Sequence, residues 1–322
     1  MTKKVKLADR RWWPWLKRGA ITVFFIVVAC LIVSQARDMD WAAVLAALQG
    51  YSLKSLVVAA LLAVASFALY SCFDLLGRHY TGHALGTATV MAVTFISYVF
   101  NLNFGSLVGG VAFRFRLYAK LGLATGTITR ILSLSMLTNW MGYLLLGGLM
   151  FSVMPPALPN NWAINALHLR LIGGVLVGIA AGYLALCGLS AKHSFSIKGH
   201  FIALPSARMA ALQLTIGAAN WLIMAGIVYM LLQQRVAFPT VVSVLLLAGI
   251  AGVITHIPAG LGVLEAVFVA LLSRQLPPAD IVAALVAYRV IYDLAPLGVA
   301  AVVYVAMEAA ARKLAVLQPG EA

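Results

Sequence analysis

Apolar runs long enough to cross a lipid bilayer recur from one end of this sequence to the other, and few arrangements of a chain accept that. A helix needs about 20 mainly apolar residues to cross a hydrocarbon core about 30 Å thick, and there every backbone N–H and C=O must be satisfied within the protein. Six stretches qualify: residues 19–33 with their flanks, then 55–76, 131–153, 171–189, 209–232 and 281–307. Composition agrees. Of the 322 residues 63% are hydrophobic and 10% charged, with a mean hydropathy of +0.99, whereas soluble domains run at about 45–50% and about 25%. There is too little polar surface to cover a water-soluble globule, and disorder is excluded on the same ground. Cys30, Cys72 and Cys187 lie far apart in apolar runs, so they read as small membrane hydrophobes and not as a disulfide framework.

Two further apolar regions are interrupted. The first covers residues 88–100, breaks at Asn101-Leu-Asn-Phe-Gly105-Ser-Leu-Val-Gly109-Gly110 and resumes to residue 121. The second covers 241–255, breaks at His256-Ile-Pro258-Ala-Gly260-Leu-Gly262 and resumes to 273. Arms of 11–15 residues, rising about 1.5 Å each, should cover about half of the core. Basic residues decide whether these regions cross or turn back, because they bias loops to the cytoplasm. If both are hairpins and the amino terminus is cytoplasmic, 17 bases fall inside and 5 outside, with Arg289 within the last helix. If they cross completely, the count becomes 11 and 11. The hairpin arrangement wins, and it makes the two hairpins start from opposite sides.

The expected fold is therefore an all-α polytopic membrane protein with six full transmembrane helices plus two oppositely oriented broken-helix hairpins. Residues 1–18 form a basic cytoplasmic segment, 19–307 one transmembrane domain and 308–322 a short cytoplasmic tail, both termini being cytoplasmic. The first apolar run lacks a small-residue cleavage site, so it reads as a retained helix. Connections are short: residues 154–168 form a Pro-rich loop and 190–207 a loop with two lysines and two histidines. A net charge of +14 would suggest nucleic acid in a soluble domain. Here the bases cluster beside apolar runs, as orientation signals and headgroup contacts do. Interrupted segments of opposite orientation, meeting near the midplane, are the pattern of inverted-topology transporters.

Charges inside a bilayer are costly and mark function by default. Glu265 follows the second break by one turn. Arg289 and Asp293 lie four apart, near the middle of the last helix, and share a face. Arg114 and Arg116 follow Gly109 and Gly110 of the first break. A broken helix exposes N–H groups that attract anions such as a lipid phosphate, to which arginine adds two-point hydrogen bonds. Pro258, Gly260 and Gly262 would shape that backbone, and His256 could carry a proton or touch a headgroup. The structural alternatives stay open: static pairs within the bundle for Glu265, Arg289 and Asp293, positive-inside anchoring for Arg114 and Arg116, a carbonyl-bonded imidazole for His256. Asp74 and Arg78, also four apart, read as a helix-end pair. Asn101, Asn103, Asn139 and Asn220 either line a polar cavity or bond between helices. Trp12, Trp13, Trp15, Trp41 and Trp162 fit interface belts. No His-Glu-x-x-His pattern, phosphate-binding glycine loop or Gly-x-Ser-x-Gly elbow occurs, so no metal, cofactor or catalytic residue is expected.

The run from Gly252 through Pro258-Ala-Gly260-Leu-Gly262-Val-Leu-Glu265, with Ala287-Tyr-Arg289-Val-Ile-Tyr, resembles the Pro-Gly-Gly-x-Gly-x-x-Glu and late-arginine signature of the transmembrane domain of bacterial lysylphosphatidylglycerol synthases. Gly105-Ser-Leu-Val-Gly-Gly-Val-Ala-Phe-Arg114 resembles that family's first glycine-rich break. Leu69-Tyr-Ser-Cys-Phe-Asp-Leu-Leu-Gly-Arg78 and Thr127-Ile-Thr-Arg-Ile-Leu-Ser-Leu-Ser135 bring the chain nearest to the stand-alone inner-membrane members. Ala259 replaces the family's first glycine, the first break has no proline, and the aminoacyl-transferase domain is missing. The resemblance implies a non-enzymatic flippase of the bacterial cytoplasmic membrane. It would move an anionic or aminoacylated phospholipid, cardiolipin being one candidate, downhill or coupled to an ion. Membrane phospholipids are the expected partners, with a homo-oligomer or lipid-trafficking proteins as further ones and no nucleic acid. The alternatives are an intramembrane enzyme acting on a lipid phosphate, with Arg114 and Arg116 as phosphate holders and Glu265 as base, and a scaffold for lipid trafficking.

Overall fold

The computed structural model describes residues 41–159, 165–190, 194–197, 200–255, 257 and 260–317. The expected first helix at 19–33 lies outside them. The chain forms α1 (Trp41–Gln49), α2 (Leu53–Thr81), α3 (Thr87–Phe104), a π-helical segment Ser106–Ala112, α4 (Phe113–Lys120), α5 (Thr125–Val153) and α6 (Ala166–Leu189). It continues through β1 (Ser194–Ile197), β2 (His200–Ala203), α7 (Ala207–Leu231), α8 (Phe238–Thr255), α9 (Val263–Leu272), α10 (Pro278–Tyr288), a second π segment Arg289–Leu294 and α11 (Ala295–Leu317). Among the described residues α2, α3, α5, α6, α7, α8 and the stretch Pro278–Ala309 are long and apolar enough to cross a membrane. This is a polytopic helical membrane protein.

Local signals set the helix ends. Ser52 and Ser206 accept the N–H groups of Ser55 and Met209, and Asn165 with His168 closes a reciprocal cap on α6. Such caps satisfy N–H groups that the first turn leaves without partners. Pro278 opens α10, where its missing N–H costs nothing.

Contacts along the chain order the two ends of the bundle. At one end, here the near end, α2 finishes and α5 begins: a Cβ on Gly77 would meet Ile131 at 3.0 Å. The arm formed by the first π segment and α4 folds back along α3. Gly109 lies against the Phe100 backbone, Phe113 packs on Phe100 with centroids 4.5 Å apart, and Tyr118, at the arm's end, donates to Asp74 of α2 at 2.8 Å. The chain thus returns to the end where α3 started. At the far end, Arg235 after α7 pairs with Asp280 at the start of α10 at 2.8 Å, and Tyr229 packs on Phe238 at the start of α8. The α8–α9 excursion starts and finishes there.

Two expectations are corrected. The arms are unequal: α3 and α8 have 18 residues each, the first returning arm is the π segment of 7 followed by α4 of 8, and α9 has 10. Eighteen residues rise about 27 Å, nearly a full crossing and not half of one. Helix α3 runs through the Asn-Leu-Asn-Phe sequence because Asn103 is satisfied there, its Nδ2 donating to Val99 O at 2.9 Å and to Asp293 O at 3.1 Å. The true stop is Gly105, whose φ of 85° suits glycine and few other residues. The second correction concerns the 190–207 connection, which contains the antiparallel pair β1–β2 and is not a plain loop.

Helices α5 and α7 run in the same direction, with Gln213 Nε2 donating to Thr138 Oγ1 at 2.9 Å and Trp221 packing edge-on to Tyr143. They touch at Gly142 and Gly217, where an added Cβ would lie 2.2 Å and 2.4 Å from backbone atoms of the other helix. Small residues allow this approach, and it supplies dispersion contact where no hydrophobic driving force separates helix from lipid.

Candidate functional site

Between the two interrupted regions, and walled by α5 and α7, lies a cavity of about 810 Å³. Its walls are largely apolar and aromatic, with Tyr98 from α3, Trp140 and Tyr143 from α5 and Trp221 from α7. Trp140 and Trp221 both pack edge-on to Tyr143, at 5.7 Å and 5.4 Å between centroids. Asn101 and Asn139 add polar points, and Gly105, Ser106 and Gly260 bring the two breaks to its edge. Arg289 and Asp293 face into it.

Glu265 sits in the first turn of α9, behind Gly260 and Gly262 with φ of 57° and 78°. The helix amino terminus favours an anion there. Arg289 offers its fork to this carboxylate, Nε at 2.6 Å from Oε1 and Nη2 at 3.2 Å from Oε2. Nη2 also donates to Gly260 O at 3.2 Å, so the arginine holds the break itself. Nη1 reaches Asp293 Oδ2 at 3.5 Å. The three side chains are 16%, 21% and 13% exposed for Arg289, Glu265 and Asp293. Glu265 is not a lining residue and reaches the cavity through Arg289.

Arg289 and Asp293 belong to the π segment Arg289–Leu294. A π turn carries one residue more than an α turn and loosens the local hydrogen-bond ladder, a feature concentrated at functional sites. The Asp293 carbonyl is taken by Asn103 from the tip of α3. Both interrupted regions are therefore tied to one π turn, the first through Asn103 and the second through Gly260 and Glu265. Behind the turn, Tyr292 Oη lies 2.7 Å from Ser66 Oγ and 3.2 Å from Tyr98 Oη, while Ser66 donates to Asn220 Oδ1 at 2.8 Å. This hydroxyl network went unnoticed in the sequence. The four-residue pairs Ser66/Tyr70 and Tyr288/Tyr292 inside apolar runs are the signal that could have found it.

The structure thus brings Glu265, Arg289, Asp293, Gly260 and Gly262 together, and His256 and Pro258 lie outside the described residues. It sets the others apart. Gly109 and Gly110 do not line the cavity and instead pack on Phe100 and Asn101 of α3. Arg116 is exposed and pairs with Glu308 of α11 at 3.2 Å, beside Lys120, which also binds Glu308. Arg114 is 4% exposed and bound to Asp74, itself fully buried, at 3.4 Å, with Nη1 donating to Ser135 at 3.1 Å. Asp74 therefore does not pair with Arg78, whose Nη1 donates to Thr87 Oγ1 at 2.7 Å. A guanidinium so enclosed holds α4 against α2 and α5. Of the asparagines, Asn101 and Asn139 line the cavity, while Asn103 and Asn220 bond between helices. Asp74→Asn should leave the Arg114 charge uncompensated and cost about 3–5 kcal/mol, read as a fall in thermal stability. A shift near zero would reject the anchoring role.

Comparison with known proteins follows the same outline. The family model described as "Lysylphosphatidylglycerol synthase TM region" matches residues 19–300. The chain is 44% identical over 303 residues to "Inner membrane protein YbhN" of Escherichia coli (strain K12), covering 94% of this chain and 95% of that protein. It is 32% identical over 277 residues to "Uncharacterized protein slr0712" of Synechocystis sp., covering 85% and 86% of the two chains.

Proposed function

The chain belongs to the family of the lysylphosphatidylglycerol synthase transmembrane region, and from that premise we propose that it moves a phospholipid between the leaflets of the bacterial cytoplasmic membrane without altering it chemically. The observation that carries this reading is the cavity between the two oppositely directed interrupted regions, with Arg289 and Asp293 at its polar edge. An aromatic and apolar wall accepts the upper acyl chains and glycerol, and the arginine fork can exchange Glu265 for a headgroup phosphate at similar geometry. Because Arg289 also holds the Gly260 carbonyl, that exchange would loosen the second break, coupling binding to movement of the α8–α9 arms. An intramembrane enzyme would need a phosphate holder at the cavity, and the enclosure of Arg114 by Asp74 speaks against Arg114 in that role. The name of the Escherichia coli relative supports the cytoplasmic-membrane location.

The test uses the purified full chain in vesicles of phosphatidylethanolamine and phosphatidylglycerol carrying a fluorescent phospholipid, repeated with labelled cardiolipin. Wild-type protein should speed leaflet exchange, and folded Glu265→Gln should slow it by about tenfold or more, equal to roughly 1.4 kcal/mol on the barrier. New lipid species in the extract would indicate chemistry instead. Exchange at the rate of empty vesicles would reject transport.

A further inference from the structure

Two carboxylates share one guanidinium at the π turn, and they do not share it equally. Glu265 takes the fork of Arg289 at 2.6 Å and 3.2 Å, and Asp293 is left with Nη1 at 3.5 Å, the outer limit of hydrogen-bond reach. With both acids ionised, the three side chains carry an excess negative charge in a largely buried part of a membrane bundle, where charge is disfavoured. Neutralising Glu265 would give up a two-point charged hydrogen bond and a favourable helix terminus. Neutralising Asp293 gives up much less.

Among the described residues, the other groups around Asp293 bring no positive charge. Tyr292 on its own segment, Tyr98 on α3 and Tyr288 on α10 are phenols, and the first two are bonded to each other. Asn103 bonds the Asp293 main-chain carbonyl, not its carboxyl. Glu265 on α9 adds a like charge. His256, on the connection before α9, lies outside the described residues. Asp293 also faces the cavity, so water can bring and remove a proton.

We infer that Asp293 is the proton-binding carboxylate of this cavity, taking up and releasing a proton while Glu265 keeps the two-point hold of Arg289. The step is a simple transfer: a proton leaves the Asp293 carboxyl for cavity water and returns by the same route, with no other bond made or broken. The charge at the cavity edge changes by one as it loads and unloads. Taken with the proposed function, on which only this consequence rests, lipid movement is coupled to a proton gradient.

Infrared titration of the purified full chain in phosphatidylglycerol nanodiscs reads the proton directly. On lowering the pH, wild-type protein should show the carbonyl stretch of one protonated carboxyl growing in ahead of those of the exposed acids. Asp293→Asn should lack it. Glu265→Gln should weaken it, because Arg289 then has Asp293 as its one ionised partner in the cluster and favours the anion there, and His256→Asn should keep it. If Asp293→Asn does not fold, Asp293→Glu should move the titration midpoint of the band. A missing band in wild type, or an unchanged one in both Asp293 variants, overturns the inference. In vesicles, wild-type exchange that ignores an imposed pH gradient overturns the coupling and leaves the transport reading intact. No exchange at all overturns transport while the infrared result still decides the proton site.

Discussion

Arg289→Ala is expected to destabilise the protein by about 3–5 kcal/mol, the usual cost of removing one member of a buried ion pair, and to abolish lipid exchange. The variant strands Glu265 without its two-point partner and releases the Gly260 carbonyl. Stability and function can then be pulled apart. The double variant Arg289→Gln with Glu265→Gln leaves neither charge opposite an empty partner, and Asp293 can take up a proton. It should recover most of the lost thermal stability, since neutral replacements of buried pairs are often tolerated, yet remain inactive because the Arg289 guanidinium is no longer there to receive a phosphate. A double variant that exchanges lipid at the wild-type rate would reduce the ion cluster to a structural brace.

The second large effect belongs to a residue with no polar chemistry. A Cβ on Gly109 would stand 2.1 Å from the carbonyl carbon and oxygen of Phe100, whereas one on Gly110 would first meet the Asn101 side-chain oxygen at 3.1 Å. Backbone cannot yield as a side-chain end can. Gly109→Ala should therefore cost more than the roughly 1–3 kcal/mol of ordinary overpacking, separating the first interrupted region into loose arms and yielding little monodisperse protein. Gly110→Ala should purify and melt like wild type. Equal behaviour of the two variants would mean that the returning arm does not press on α3 at this point.

The legible part of this protein follows from the cost of polarity in lipid. Glu265 and Arg289 stood out because charges within long apolar runs are rare and expensive, and they proved to be direct partners. The two breaks were visible because glycine at positive φ is the cheapest way to stop a helix, and Gly105, Gly260 and Gly262 adopt it. Arm lengths were misjudged for the converse reason. Asn101 and Asn103 look like helix breakers in a linear reading, but Asn103 bonds Val99 and Asp293 and so costs nothing inside the bundle. The near-end pairing failed in the same way. Asp74 and Arg78 have the spacing of a local pair, yet Arg114, forty residues on, closes over Asp74 and Arg78 turns to Thr87.

From the one-dimensional order of residues came the membrane class, most of the spans, the two interruptions and the few charges worth suspecting, because hydropathy and helix stops act over one or a few turns. Only the folded bundle decided which arginine faces the cavity and which is sealed beneath a carboxylate, and it alone placed the hydroxyls of Ser66, Tyr98 and Tyr292 side by side. Partner choice depends on distance in space between helices remote in sequence, and a buried charge takes whichever counter-charge the closed structure brings within reach.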